Sequence, residues 1–282
     1  MPVLSVSLLE PIWAQFSVLL PDHPVTDPAH PLGCHRHRIP DRVVFEHVVA
    51  ALVHGSGYER IASPGCSDRT IRRRVHAWAE AGLTATLHRL VLDQFDRLLG
   101  LDLSTVVVDG CLTKAPGGGE KAGKSPVDRG KGGLKRSLVT DATGVPIHLV
   151  STPANVHDTH LLRPTLEGLA PHGPLPADLP VALDRGYDSR RTHATLAELG
   201  LSGRIAHQPT GGPVPLGERW VVERTHAWMN DFGKVRCCFE RRGLVVDFYL
   251  WLAAAIVTVR LLIRRARETF RWPTRPTTKR LP

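Results

Sequence analysis

The hydrophobic period of the chain changes once, near residue 100. Before that point apolar positions recur at helical spacing; after it, short β-branched runs alternate with helical stretches. Leu4 to Leu20 reads as a loosely apolar helix, and 21–41 as a linker rich in Pro and His. Arg42 to His54 is a second helix, stopped by Gly55 and Gly57. After Tyr58-Glu59-Arg60-Ile61-Ala62 comes a turn at Ser63-Pro64-Gly65, then a helix opening at Ser67. A serine hydroxyl there can take an otherwise orphaned backbone N–H. On this helix Ile71, Val75 and Trp78 turn inward, leaving Arg69, Arg72, Arg73 and Arg74 on a broad outer face. Short helix, glycine-containing turn and basic second helix form the helix-turn-helix outline, whose second helix enters the major groove. The same pattern also describes a small helical domain with an Arg-rich solvated face.

From residue 101 the pattern is mixed. Leu103–Asp109 reads as a strand. Leu134–Asp141 and Gly144–Thr152 are two more, joined by Asp141-Ala142-Thr143-Gly144, whose residue types suit a hairpin turn. Thr159–Leu169 is a helix, Pro180–Asp184 a strand, Ser189–Leu199 a helix and Gly203–His207 a short strand. Arg219–Phe232 and Gly243–Arg267 are helices. This order predicts an α/β fold, a ribonuclease H-like mixed sheet flanked by helices, following an N-terminal all-helical, helix-turn-helix-like region. In that arrangement the first and fourth strands are neighbours and their ends meet. The expected division is a DNA-binding region over 1–100, a catalytic domain over 101–270, and a basic, Pro-rich tail of disordered composition over 271–282.

Charge narrows the class of partner. The 282 residues hold 36 Lys+Arg against 27 Asp+Glu, a formal charge of +9, with 15 His besides. Such a surplus favours a polyanion, nucleic acid before an acidic membrane surface. The five cysteines include no CxxC pair, which argues against a disulfide framework or zinc knuckle and fits a reducing cytoplasm. Cys34-His35-Arg36-His37 is read as a polar loop. The N-terminal apolar run is interrupted by Glu10 and is not a signal peptide. Leu244–Ile263 is strongly apolar, but Asp247 and Arg260 reduce its uninterrupted part to Phe248–Val259. That is shorter than the roughly 18–20 residues of a membrane span, so a buried core helix is expected and no membrane partner.

Three acids stand out against this frame. Asp109 closes Val106-Val107-Val108, Asp184 closes Val181-Ala182-Leu183, and Glu223 lies in the helical stretch Arg219-Trp220-Val221-Val222-Glu223-Arg224-Thr225. A carboxylate at a strand end is held rigidly where ligand can reach it, although one such Asp alone is an ordinary turn former. Two strand ends and a helical Glu can hold two hard divalent ions, roughly 3.5–4 Å apart, across a phosphodiester. Between the first two strands lies a flexible basic loop, with Lys114, Lys121, Lys124, Lys131, Lys135 and Arg136 expected to face DNA phosphates. The same loop contains Gly118-Gly119-Glu120-Lys121-Ala122-Gly123-Lys124-Ser125, which matches the phosphate-cradling GxxxxGK[ST]. Such a loop must open a helix, and Pro126, Gly130, Gly132 and Gly133 would break one. Asp158 is expected as a helix N-cap, His157 as a packing group, and Trp220 and Trp228 as core.

Together these stretches resemble DDE transposases of bacterial insertion sequences, family five in particular. The resemblance rests on Val106-Val107-Val108-Asp109-Gly110, Gly130-Lys131-Gly132-Gly133-Leu134-Lys135-Arg136, Ala154-Asn155-Val156-His157-Asp158, Leu183-Asp184-Arg185-Gly186-Tyr187-Asp188 and Trp220-Val221-Val222-Glu223-Arg224-Thr225. It implies a ribonuclease H-like core, a triad of Asp109, Asp184 and Glu223 holding two Mg²⁺ (or Mn²⁺), and DNA cleavage with strand transfer. Double-stranded DNA is the implied partner, as inverted-repeat ends and as target, with a homodimer in the synaptic complex and a nucleoid-associated, cytoplasmic location. Related enzymes carry Tyr-x2-Arg-x3-Glu-x6-Lys around the glutamate; here Arg219 and Glu223 fit, Leu216 replaces the Tyr and Asn230 the Lys. Lys234, eleven residues past Glu223, would share the seventh position's helix face if the helix continues through Gly233. The expected DNA contacts are thus Arg69, Arg72, Arg73, Lys124, Lys131, Lys135, Arg136, Arg219 and Lys234. A nuclease of the same fold without strand transfer is the second reading, and a P-loop ATPase the third.

Overall fold

Strand β1 (Val106–Lys114) is central to a six-stranded mixed sheet. Its first three valines are all buried, as expected of a strand covered on both faces. On one side β3 (Gly132–Asp141) runs antiparallel along the whole of β1, from Val106 opposite Asp141 to Lys114 opposite Gly133. β4 (Pro146–Pro153) pairs antiparallel with β3 across the predicted hairpin. There Gly144 has φ +89°, and the Asp141 carboxylate accepts from the amides of Thr143 (2.9 Å) and Val145 (2.8 Å). On the other side β5 (Pro180–Leu183) is parallel to β1, and β6 (Ser202–Ile205) is parallel to β5. The short β2 (Gly123–Lys124) extends the edge of β3. The spatial order β4, β3, β1, β5, β6, with only β3 reversed against its neighbours, is the ribonuclease H-like arrangement that the element order implied.

The computed structural model describes residues 3–22, 38–205 and 216–270, without the side chains of 216–219. The Cys34-His35-Arg36-His37 loop and the 271–282 tail lie outside these residues. Among the described residues five helices precede the sheet: α1 (Val6–Ser17), α2 (Asp41–His54), α3 (Tyr58–Ile61), α4 (Asp68–Glu80) and α5 (Leu83–Leu99). Five follow or interrupt it: α6 (Asp158–Glu167), α7 (Arg190–Glu198), α8 (Leu216–Asn230), α9 (Gly233–Arg236) and α10 (Gly243–Thr269). Ser67 caps α4 as expected, accepting from Thr70 N at 3.3 Å. Ser189 caps α7 in the same way, accepting from Thr192 N at 3.2 Å.

The core crosses residue 100 without a break. Helix α10 packs along α5 and also meets α4, α1 and β4. It is long and apolar enough to cross a membrane, yet 72% of its most apolar window is buried inside the protein. Trp251 of α10 lies between His88 of α5 (ring centroids 5.1 Å apart) and His148 of β4 (5.2 Å). Burial holds both imidazoles neutral, pushing His88 down to about 3 and His148 to about 4. At the other end, Gly55 after α2 has φ +69° and meets Gly233 of α9 backbone to backbone. A Cβ on Gly55 would sit 2.8 Å from the Gly233 carbonyl carbon. The described cysteines, Cys66, Cys111, Cys237 and Cys238, are free thiols.

Candidate active site

Asp109 lies within β1 rather than at its end, because pairing with β3 continues to Lys114. It faces Leu138 across that ladder. The parallel register sets Val106 beside Val181 and Val107 beside Ala182. Continued by two residues, it brings Asp109 alongside Asp184, the first residue after β5. Glu223 comes from α8, which buries Val221, Val222, Thr225, His226 and Met229 against the sheet and leaves the glutamate exposed. Thr225 Oγ1 ties this helix to the β3–β4 turn through the Gly144 carbonyl, at 2.8 Å.

The electrostatics reflect this convergence. Burial pushes the Asp109 carboxyl up to about 6; its bond from Gly110 N (2.8 Å) opposes the shift, while Asp184, Glu223 and Asp158 add to it. Asp158 is therefore a fourth acid of the cluster. The helix N-cap is His157, whose Nδ1 accepts from Thr159 N at 3.3 Å, so the capping role expected of Asp158 falls to its neighbour. Asp158 instead takes Lys135 Nζ at 2.9 Å and lies against Gly110, where a Cβ would be only 2.3 Å from Oδ1. Tyr187 is buried beside these acids; burial, then Asp158, Asp109 and Asp184, raise its pKa.

A second network fixes α8 to the sheet. Arg136 of β3 donates from Nε to His226 Nδ1 (3.1 Å) and from Nη2 to Asn230 Oδ1 (2.8 Å), the His226 carbonyl (3.3 Å) and Cys111 Sγ (3.3 Å). With Nδ1 accepting, His226 carries its proton on Nε2, which donates to the Asp109 carbonyl at 3.3 Å. Burial first, then the Arg136 charge, push this imidazole down to about 3, so it stays neutral. Nothing in the linear pattern marks these partners, which are brought together only by packing.

Several expected DNA contacts lie elsewhere. Lys135 is 5% exposed and committed to Asp158, and Arg136 is 1% exposed, so neither is a free phosphate ligand. Helix α8 ends at Asn230 and α9 starts anew at Gly233, so Lys234 does not continue the Glu223 face. It is buried, 2.5 Å from Glu240 and 5.0 Å from the centroids of both Tyr58 and Tyr249. Arg74, expected on the outer face of α4, is buried and ion-paired with Asp41. By contrast Arg69, Arg72 and Arg73 are exposed on α4, as are Lys124 and Lys131 in the basic loop. Lys121 of that loop is held by Asp247 (3.2 Å) and the Ser151 carbonyl (3.0 Å). Arg219 falls on α8, with its side chain outside the described residues. No helix follows Ser125; the chain turns into β3, which removes the frame a P-loop needs. Trp220, expected as core, is 57% exposed.

The donor set suits hard divalent cations, being all carboxylate oxygen around one half-buried, repelled aspartate. Among the described residues no three His, Cys, Asp or Glu side chains already form a ligand group, so the acids meet at electrostatic range.

Residues 100–208 match the family model described as the transposase DDE domain, a span that contains Asp109 and Asp184 and stops short of Glu223. The transposase assigned to insertion sequence element IS402 of Burkholderia cepacia is 39% identical over 158 residues, covering 54% of this chain and 74% of that relative. The Mos1 transposase paired-end complex with left transposon end aligns over 86% of this chain and 83% of that one, at 13% identity and a TM-score of 0.30. At that score the two chains do not superpose closely, and the fold rests on the strand order. The chain belongs to the DDE transposases of insertion sequences. DNA is accordingly its partner, and divalent metal its requirement.

Proposed function

We propose that the chain cleaves DNA at the ends of an insertion sequence of family-five type and joins the freed 3′ ends to a target, with Asp109, Asp184 and Glu223 as the catalytic acids. The observation that carries this reading is the parallel register of β1 on β5, which sets Asp109 alongside Asp184; Asp184, Glu223 and Asp158 all add to the upward shift of the half-buried Asp109 carboxyl. A pair of Mg²⁺ or Mn²⁺ ions, when bound, would activate the attacking oxygen and stabilise the leaving one. Asp109, Asp184 and Glu223 would hold these ions through their carboxylate oxygens. Bound cations also offset the repulsion that this acid cluster carries.

The chain's other residues position these three. His226 holds the Asp109 backbone from α8, and Arg136 holds His226 and Asn230 from β3. Lys135 neutralises Asp158, leaving the net charge of the cluster to the assigned ligands. Residues 1–100 are assigned to DNA binding through Arg69, Arg72 and Arg73, and 101–270 to catalysis, with Lys124, Lys131 and Arg219 on phosphate. The protein is expected to act as a dimer at paired ends in the cytoplasm, on nucleoid DNA.

The test is metal-dependent cleavage and joining of duplexes carrying the element's own flanking ends. Asp109→Asn, Asp184→Asn and Glu223→Gln should each abolish both steps while leaving DNA binding intact, since each loses a ligating charge and little shape. Near-normal cleavage by any variant with Mg²⁺ removes that residue from the triad. Cleavage without joining by the unmodified chain would make it a nuclease.

A further inference from the structure

The β5–α7–β6 unit is charged differently at its two ends. β5 and β6 are parallel, so α7 runs back against them and starts at the end where Asp184 follows β5. A single 3₁₀ turn, Arg185–Tyr187, and the cap Ser189 lie between. Arg185, Arg190 and Arg191 are all exposed at this end, as is Arg204 of β6, beside Ala182 in the ladder. Among the described residues the first three form no ion pair and no side-chain hydrogen bond. Asp188, exposed among them, is bonded to His193 Nε2 at 3.0 Å. The unit's other acids lie at the far end: Asp178 precedes β5, and Glu198 closes α7, paired with Arg163 of α6. About 12 Å of helix separates Arg190 from Glu198. The first turn of α7 holds no acid. Its two arginines therefore face the positive end of the helix dipole, an unfavourable arrangement that an anion outside the chain would offset. Arg185 follows Asp184 directly, and Gly186 lies against that carboxylate, where a Cβ would be 3.1 Å from Oδ1. Lys124 and Lys131 are on another flank, reached only after β1 runs about 16 Å on from Asp109 to Lys114. The acids thus lie between two cationic surfaces.

We propose that Arg190 and Arg191, with Arg185, hold the phosphates of the target duplex, while the element's ends are held by α4 and the basic loop. The proposal rests on the transposase reading and deepens it by giving target and ends separate surfaces. In joining, the freed 3′-OH of the end bonds a target phosphorus, and the target's own 3′ oxygen leaves and is protonated. Attacking and leaving oxygens lie in line on opposite sides of that phosphorus, so two DNAs must reach the same acids from different sides. A guanidinium binds phosphate through two parallel N–H bonds and fixes register without reading sequence. Cations flanking the acids also retain a polyanion that the carboxylates alone would repel.

The experiment uses the full-length protein with Mg²⁺, a labelled duplex carrying the element's end, and a separate plasmid as target. The variants are the double substitution Arg190→Ala with Arg191→Ala, and its charge-keeping counterpart Arg190→Lys with Arg191→Lys. Both sites are exposed, so melting midpoints should stay level, and cleavage of the end should be unchanged. Joining by the alanine pair should fall about tenfold at limiting target and recover at saturating target, because the lost contacts bind and do no chemistry. The lysine pair should keep most of the joining. In EDTA, the end-bound alanine pair should bind a labelled random duplex about tenfold more weakly, with a salt slope lower by about 1.8 for two contacts. Unchanged joining in the alanine pair overturns the proposal. So does a loss that cleavage shares, or one that saturating target does not repair. Failure of the unmodified chain to cleave and join would sink the transposase reading, whereas both activities beside an unchanged alanine pair would sink only the target surface.

Discussion

Asp109 shows at residue scale how the site is prepared for a cation. Its folded pKa, about 6, lies above the ordinary 3.8, so the fold favours the protonated form. The resulting stability is full below about 3.8 and is lost as pH rises through about 6. Metal-free protein should therefore soften between those values on this account, and Asp109→Asn should remove that part of the slope. Near pH 7 the variant should gain on the order of 2–3 kcal/mol over the unmodified chain. Melting curves in EDTA from pH 4 to 8 would check this; parallel curves for the two proteins would refute it. Metal binding has the opposite dependence, because it needs the anion, and should weaken as pH falls below about 6.

At the scale of elements, the geometry depends on places where backbones meet without side chains. Gly233 opens α9 directly against the end of α2, and a Cβ there would lie 2.5 Å from Gly55 N and 2.7 Å from Gly55 Cα. Neither atom can yield as a flexible side chain would. Gly233→Ala should cost about 1–3 kcal/mol, the usual range for overpacking, and should loosen Lys234 from Tyr58 and Tyr249. Thermal unfolding would register this as a lowered midpoint, and an unchanged midpoint would mean that the two backbones separate freely. The same junction explains why α8 does not run on to Lys234: the chain turns at Asp231–Phe232 to bring α9 against α2.

Over the whole molecule, the helical N-terminal region and the sheet share one core. Leu87, Val91, Leu92 and Phe95 of α5 are buried, and α10 lies along that helix. A fragment of residues 1–100 should thus lack its cover and unfold without a cooperative transition, followed by circular dichroism on heating. A sharp transition in the fragment would mean that the helices before α5 suffice. The division proposed at residue 100 is one of tasks, with DNA held by α4 and chemistry done at β1, β5 and α8.

The sequence by itself determined what local chemistry can encode. Period-two and period-3.6 patterns gave the strands other than β2 and most helices, Ser67 gave a cap, and Asp141 to Gly144 gave the hairpin. Asp109 and Asp184 were legible because each terminates a β-branched or apolar run, and Glu223 because its flanking residues match a known family. Tertiary structure alone decided which charges remain available. Lys135, Arg136 and Lys234 sit in a chain rich in exposed bases, and nothing local separates a buried cation from a solvated one. Their partners Asp158, His226, Asn230 and Glu240 come, apart from Glu240, from 23 to 94 residues away. Trp220 carries the reverse lesson: an indole at helical spacing reads as core, and only the packing of α8 on its Val221–Val222 side turns it to solvent. Burial is a property of the assembled surface, and no window of the chain contains it.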